Sequence, residues 1–178
     1  GGLDLSENSS HFRISPALEI SDNSAQIMAV WKETNGSQSQ RGITAQRLDS
    51  TGTRLWGSNG TPVVDMNSNY DYLDISISKF DEDLIITYLE QSSNMVGDIY
   101  SKRLDSLGNM IWENDPVIIT NSNTQKSDVN AKDGVNCIFI SWSENGSIFA
   151  LDKNQETSNI ALNFFKKAAQ DHKIKMII

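Results

Sequence analysis

Three acids recur at one place in a repeated pattern. Glu33, Glu90 and Glu144 each stand two residues after an aromatic, in "VWKE" (30–33), "TYLE" (87–90) and "SWSE" (141–144). Two carboxylates facing each other across a sugar are what glycoside hydrolysis needs, one as acid and one as base or nucleophile. An acid repeated in every unit reads first as a structural, loop-facing residue. A nucleophilic relay needs an imidazole. His11 lies in a Ser-rich loop and His172 near the end of the chain, and no G-x-S-x-G supports either. Asp81, Glu82 and Asp83, with Asp71 and Asp74 close in sequence, offer hard oxygen ligands of the kind Ca²⁺ takes. Their spacing matches no Ca²⁺ loop, and an acidic turn recurs in every unit, which favours a solvated turn. Cys137 is the single cysteine, so no internal disulfide forms, and a buried free thiol is its default. With no CxxC or HExxH spacing, a structural zinc is not expected. The expectation is no catalytic residue, no metal and no cofactor.

These residues sit on a chain of 178 residues with a formal charge of −8 and a pI near 4.7. An acidic surface repels phosphate backbones, which argues against nucleic acid as partner. No apolar run approaches the roughly 20 residues of a membrane helix. The chain opens Gly1-Gly2 without an apolar leader, so a processed chain or a piece of a longer one is expected. Abundant Asn and Ser, with no cysteine pair, suit a secreted or cell-surface bacterial protein, and are compatible with a cytosolic one.

The elements that would position the acids come from a longer repeat. "RLDSTGTRLW" (47–56) and "RLDSLGNMIW" (103–112) share six of ten positions, 56 residues apart. The aromatics Trp31, Tyr88 and Trp142 succeed each other at 57 and 54 residues. Upstream of each lies another strand, in "PALEIS" (16–21), "YLDISIS" (72–78) and "SDVNAK" (127–132). Acidic turns come next, at Asp22-Asn23, Asp81-Glu82 and Asp133-Gly134. One unit reads as four strands: 16–21, 26–34, 42–50, and a fourth at 54–56 running toward 62–64. In the third strand Ile43, Ala45 and Arg47 face one way, and Thr44, Gln46 and Leu48 the other. Four short strands in about 50 residues is the signature of a β-propeller blade. Within the ten-residue motif, Asp49 and Asp105 would cap the turn through backbone N–H groups. Gly52 and Gly108 would supply positive φ. Trp56 and Trp112 would fold back between neighbouring blades.

The stretches "GDIYSKRLDSLGNMIWENDPVIIT" (97–120) and "GITAQRLDSTGTRLWGSNGTPVV" (42–64) resemble a repeat of bacterial secreted propeller proteins, of the form DIYAQRLD-x-x-G-x-x-LWG. Residues 2–31 resemble the run between two such blades. The resemblance covers about residues 2–150. It implies a propeller fold and an adhesion or scaffold role. The sialidase-type Asp-box has a tighter Asp-to-Trp spacing and the quinoprotein repeat a longer Asp-to-Gly spacing, so neither chemistry is implied.

The third unit breaks off. "LDKNQETSN" (151–159) has no matching Gly or Trp, and residues 151–178 carry +2. Ile160, Ala161, Phe164, Phe165, Ala168 and Ala169 make a helical stripe after the N-cap candidates Thr157, Ser158 and Asn159. "KIKMII" (173–178) could close as a strand. The sequence thus predicts an all-β chain of about three four-stranded antiparallel propeller blades (16–64, 72–120, and 127–150 plus tail), with a short C-terminal helix in 151–178 that is either a cap or a tail foreign to the repeat. Three units do not close a ring, so further blades or self-association are expected. The predicted function is non-catalytic binding or scaffolding of a protein or glycan surface. The alternative is a glycan-active propeller domain.

Overall fold

A computed structural model describes residues 4–21, 25–112, 115–134, 137–144, 147–151 and 174–177; for Cys137 and the last two stretches it describes the backbone alone. The described part is all-β. The first sheet runs β1 (His11–Ile20), β2 (Ile27–Asn35), β3 (Arg41–Leu48) and β4 (Thr61–Asn67) in sequential antiparallel order. The second repeats that order with β5 (Asp71–Phe80), β6 (Asp83–Gln91), β7 (Gly97–Leu104) and β8 (Val117–Thr120). The third has β9 (Lys126–Gly134), β10 (Cys137–Glu144) and β11 (Ser147–Leu151), with β12 (Ile174–Ile177) joining parallel to β11. The strand expected at 173–178 is therefore present. The helix expected over 160–169 lies outside the described residues.

Two boundaries differ from the sequence reading. The first strand begins at His11 rather than residue 16, and the fourth spans 61–67 rather than 54–56. Residues 49–53 form a tight loop on the end of β3. Asp49 N–H donates to Thr53 O, and an isolated bridge joins Leu48 to Arg54. The chain then passes through Gly57 and Gly60, both at positive φ, before β4 pairs back with β3 at Ala45. A Cβ on Gly60 would collide with the Ala45 carbonyl oxygen, so only glycine fits that approach.

The Asp-Gly turns are built alike. Asp49 Oδ1 accepts from Thr51 N (2.9 Å) and Thr53 N (2.8 Å), and Asp105 Oδ1 from Leu107 N (2.9 Å) and Asn109 N (2.8 Å). Gly52 and Gly108 have φ of 87° and 85°. Side-chain bonds from Thr51 and Asn109, together with these backbone bonds, hold both carboxyls below the usual Asp range.

Each first strand also carries a bulge at one equivalent place. Register shifts between Ile14 and Ala17, between Leu73 and Ser76, and opposite Ser141–Ser143 set two residues against one. The single opposing residue is Trp31, Tyr88 or Trp142. The bulge residues Ser15, Asp74 and Asp128 take φ of 53°, 48° and 57°. A bulge bends the strand and deepens its twist. Here it sits where a large buried ring crowds the pleat.

The sheets stack face to face in chain order. β5 packs against β1, β2 and β3, and β9 against β5, β6 and β7. Alternate positions of a strand serve opposite junctions. Met28, Val30, Ile43 and Ala45 of the first sheet meet Ile77, Leu84, Ile86 and Tyr88 of the second. Leu89 and Ile99, on the other face of the second sheet, meet Val129, Ala131, Ile140 and Trp142 of the third. Trp56 enters the first junction as a wedge. It is 6% exposed, its ring lies against Gly108, and its Nε1 donates to Ser106 O at 3.0 Å. Arg47 reaches across the same junction to Glu82 (2.7 Å), and Lys32 to Asp71 (2.9 Å). Trp112 is half-buried. The 151–159 segment that would correspond to its partner hairpin lies almost wholly outside the described residues.

Candidate functional site: a cleft beside one of three repeated carboxylates

The three acids end up at the same end of their sheets and in different company. Cross-strand pairing sets Arg13 opposite Glu33, Tyr72 opposite Glu90 and Lys126 opposite Glu144. Glu33 is buried and accepts from Thr44 Oγ1 at 2.6 Å. Glu90 bonds the Tyr72 hydroxyl, and burial pushes its carboxyl above the usual Glu range. Around it Tyr72, Tyr88 and Tyr100 form a chain of rings with centroids 5.9 Å apart. Burial pushes the Tyr72 and Tyr100 hydroxyls up to about 12 and Tyr88 higher still, so none ionises near neutrality. Burial works to raise Glu144 as well. Bonds from Ser122, Thr124 and the Trp142 Nε1 (3.2 Å) outweigh it and hold the carboxyl low. Lys126 beside it is lowered by burial and donates to Gly97 O and Ser122 O, both at 2.6 Å.

Trp31 shows the cost of this divergence. Trp142 finds its acceptor in Glu144, whereas Trp31 Nε1 is buried without a partner and Glu33 gives one oxygen to Thr44. Trp31, Tyr88 and Trp142 are all at most 2% exposed, so they pack the core and offer no sugar-stacking surface.

Glu33 opens on a cavity of about 250 Å³. The polar wall is Asn8, His11, Glu33, Thr44, Asn59 and Asp65; Pro62, Val64 and Met66 supply apolar surface. His11 does not form a relay with Glu33. The Asn8 carboxamide is oriented by Ser10, whose N–H and hydroxyl both donate to Asn8 Oδ1 (3.0 and 2.7 Å). Its NH₂ therefore faces His11 Nδ1 at 2.9 Å, and that nitrogen accepts. A relay needs the same nitrogen to donate to the carboxylate, and Glu33 Oε1 stands 3.3 Å from it. His172 lies outside the described residues.

The acidic run is occupied by cations rather than arranged round an empty centre. Glu82 takes Arg47, Asp83 takes Arg103 (2.6 Å), and Asp71 takes Lys32, with Arg41 at 3.7 Å. Asp81 and Asp74 serve backbone positions of positive φ. Among the described residues no three His, Cys, Asp or Glu side chains gather to hold a metal ion. Cys137 opens β10; its side chain lies outside the described residues.

Glu33 and Glu90, the first two of the repeated acids, lie on different sheets, and the acid that joins Glu33 in the cleft is Asp65. Asn8 was also missed. Its signal was present, because "NSS" (8–10), "NSN" (67–69) and "NSN" (121–123) precede the three first strands. Asn8 and Asn67 each accept the backbone N–H two residues on, an Asx turn. No protein-family model, curated protein or solved structure matches the chain. No helix among the described residues is long and apolar enough to cross a membrane.

Proposed function

We propose that this chain is a β-propeller repeat module of a secreted or cell-surface protein, of the DIYAQRLD-x-x-G-x-x-LWG type, and that it works by binding or scaffolding rather than by catalysis. The propeller reading is supported by four-stranded sheets in simple order, stacked in chain order with β1, β5 and β9 as neighbours. The indole wedge at the first junction supports it too. The non-catalytic reading rests on one observation. The acids repeated in all three sheets each have local partners: Thr44 for Glu33, Tyr72 for Glu90, and Trp142 with Ser122 and Thr124 of the loop before β9 for Glu144. An enzyme gathers unlike groups from different modules at one focus.

The cleft beside Glu33 is where such a module would take a ligand. Its mixture of carboxamide, carboxylate and imidazole over Pro62, Val64 and Met66 suits a sugar unit, which offers hydroxyls on its rim and C–H on its faces. A glycan array tests this: retained binding that Asp65→Asn and His11→Ala both abolish is expected, and a blank array refutes a glycan ligand. The glycan-active alternative has one observation in its favour, the presence of Glu33 and Asp65 in a single cleft. Hydrolysis of aryl glycosides that Asp65→Asn eliminates would replace the binding reading with it.

A further inference from the structure

The cleft beside Glu33 lacks one kind of partner. Glu33 is 8% exposed and gives Oε2 to Thr44. Its Oε1 faces His11 Nδ1 at 3.3 Å, but that nitrogen already accepts from the Asn8 carboxamide, so two acceptors stand face to face. No other described group donates to Oε1. A buried carboxylate oxygen without a donor is costly. Asp65, on β4, lines the same cavity, and among the described residues its carboxylate has no ion pair or hydrogen bond. No Lys or Arg stands in the cavity wall. The cations nearby are engaged elsewhere. Arg13, opposite Glu33 across the strands, gives Nη2 to the carbonyls of Ser6 and Asn8, and Lys32 and Arg41 turn to Asp71.

We propose that the cleft takes an amino sugar with a free ammonium group, and that Glu33 Oε1 and Asp65 are the acceptors that select it. An ammonium carries three donors and no acceptor, so one group serves both carboxylates. Charge-assisted bonds of this kind are about twice as strong as neutral ones. The N-acetyl form of the same sugar loses the charge and keeps a single N–H. An acidic sugar brings another carboxylate against a wall that has no Lys or Arg to meet it. The remaining wall suits the sugar itself. Asn59 Oδ1 accepts from Ser6 Oγ at 3.2 Å, which leaves the Asn59 NH₂ for a hydroxyl. With Nδ1 accepting, the neutral His11 ring carries its proton on Nε2, a second donor. Pro62, Val64 and Met66 meet the C–H face of the ring. The inference rests on the sugar reading of this cleft and adds the charge of the sugar.

The test is calorimetric titration of the full chain at pH 7 with oligomers of glucosamine, of N-acetylglucosamine and of galacturonate. The glucosamine oligomer should bind at least about tenfold tighter than the N-acetylated one, and the galacturonate oligomer weakest. Asp65→Asn, at an exposed position, should remove that margin while leaving the circular dichroism unchanged. Glu33→Gln keeps an acceptor for Thr44 and should reduce the margin as well. Asp128→Asn removes the same charge at an exposed place on β9 and should leave the margin intact. That control separates a site from the general attraction of an acidic chain for a cation. Glucosamine binding no tighter than the N-acetylated oligomer, or a margin that Asp128→Asn removes equally, overturns the proposal. A lysine oligomer that binds as tightly, with the same dependence on Asp65, overturns the sugar as the carrier of the ammonium. If an N-acetylated or acidic oligomer binds through Asp65 and the glucosamine oligomer does not, the sugar reading of the cleft stands and the charge preference falls. If none of the three binds, the proposal falls, and a blank glycan array takes the sugar reading with it.

Discussion

Replacing Trp56 by alanine tests the wedge on which the stacking depends. The indole carries about 200 Å² of surface, which at about 25 cal/mol per Å² corresponds to about 5 kcal/mol when wholly buried. At 6% exposure nearly all of that is realised. The alanine Cβ keeps a small part, and Ser106 O loses the 3.0 Å bond from Nε1, a further effect of about 1 kcal/mol. The expected cost of Trp56→Ala is therefore about 4–5 kcal/mol, within the usual range for a buried Trp truncated to Ala. Trp112 holds the same place in the second motif but is half-buried, so Trp112→Ala should cost about 2 kcal/mol. Urea titrations at pH 7, monitored by circular dichroism, give both numbers. Because three sheets need not melt together, the comparison is made on the first transition as well as on the overall midpoint. Equal losses for the two variants, or a larger loss for Trp112→Ala, would refute the argument that this indole's contact with the next turn decides its contribution.

The same geometry sets further outcomes. Gly108→Ala should destabilise by well over 1–2 kcal/mol, because it adds to positive-φ strain a Cβ 2.8 Å from Thr61 Oγ1 and 3.0 Å from the Trp56 ring. Gly57→Ala has comparable φ but open space, so its cost should stay at about 1–2 kcal/mol; equal midpoint shifts in urea would contradict this. Arg47→Met leaves Glu82 across the first junction without its cation and Gln26, beside β2 of the same sheet, without its guanidinium donor. A loss of about 2–3 kcal/mol is expected, below the value for a fully buried pair because Glu82 is partly solvated, and the same titration reads it. Glu90 titrates above its unfolded value, so its contribution is present at low pH and is lost as pH rises through the raised folded pKa. Glu90→Gln should therefore gain on the wild type between pH 4 and pH 7 in thermal melts. Asp105 is shifted the other way, so the deficit of Asp105→Ala should be present at pH 7 and shrink as pH falls below the usual Asp range.

Much of this fold is legible in the sequence because the repeat carries its own punctuation. The Asp-x-x-Gly turn and the aromatic two places before each acid are local chemical requirements, and a single sequence displays those. The misread boundaries have equally local causes. Alternation in β1 breaks at Ser15-Pro16, where the bulge opposite Trp31 shifts the side-chain parity, so His11–Ile14 did not read as one strand with Ala17–Ile20. The fourth strand was placed too early because Arg54–Trp56 looks extended. The bond from Leu55 N to Arg47 O makes it the return arm of the turn, and two glycines must pass before pairing resumes. The cleft was not legible at all. It joins Asn8 and His11 to Asn59 and Asp65 through the order of strands in the sheet, and no spacing announces that.

The three acids show how far a repeat constrains and where it stops. Equivalent backbone delivers Glu33, Glu90 and Glu144 to one end of each sheet, opposite the same position of the first strand. Burial and the side chains around each carboxyl then decide the outcome. Bonds from Ser122, Thr124 and Trp142, with Lys126 close by, outweigh burial and hold Glu144 low, whereas burial pushes Glu90 up against the opposing bond from Tyr72. Arg13 in the first sheet turns away to the carbonyls of Ser6 and Asn8, which pins the 4–10 segment alongside Asn59 and shapes the cleft there. Lys126 makes the contrasting choice and reaches back to Gly97 of the preceding sheet. One position on the repeat therefore closes a junction in the third sheet and holds a recess open in the first. Replacing Arg13 with methionine should loosen that recess and weaken any ligand bound in it while the junction to the second sheet, carried by Arg47, Lys32 and Trp56, stays intact.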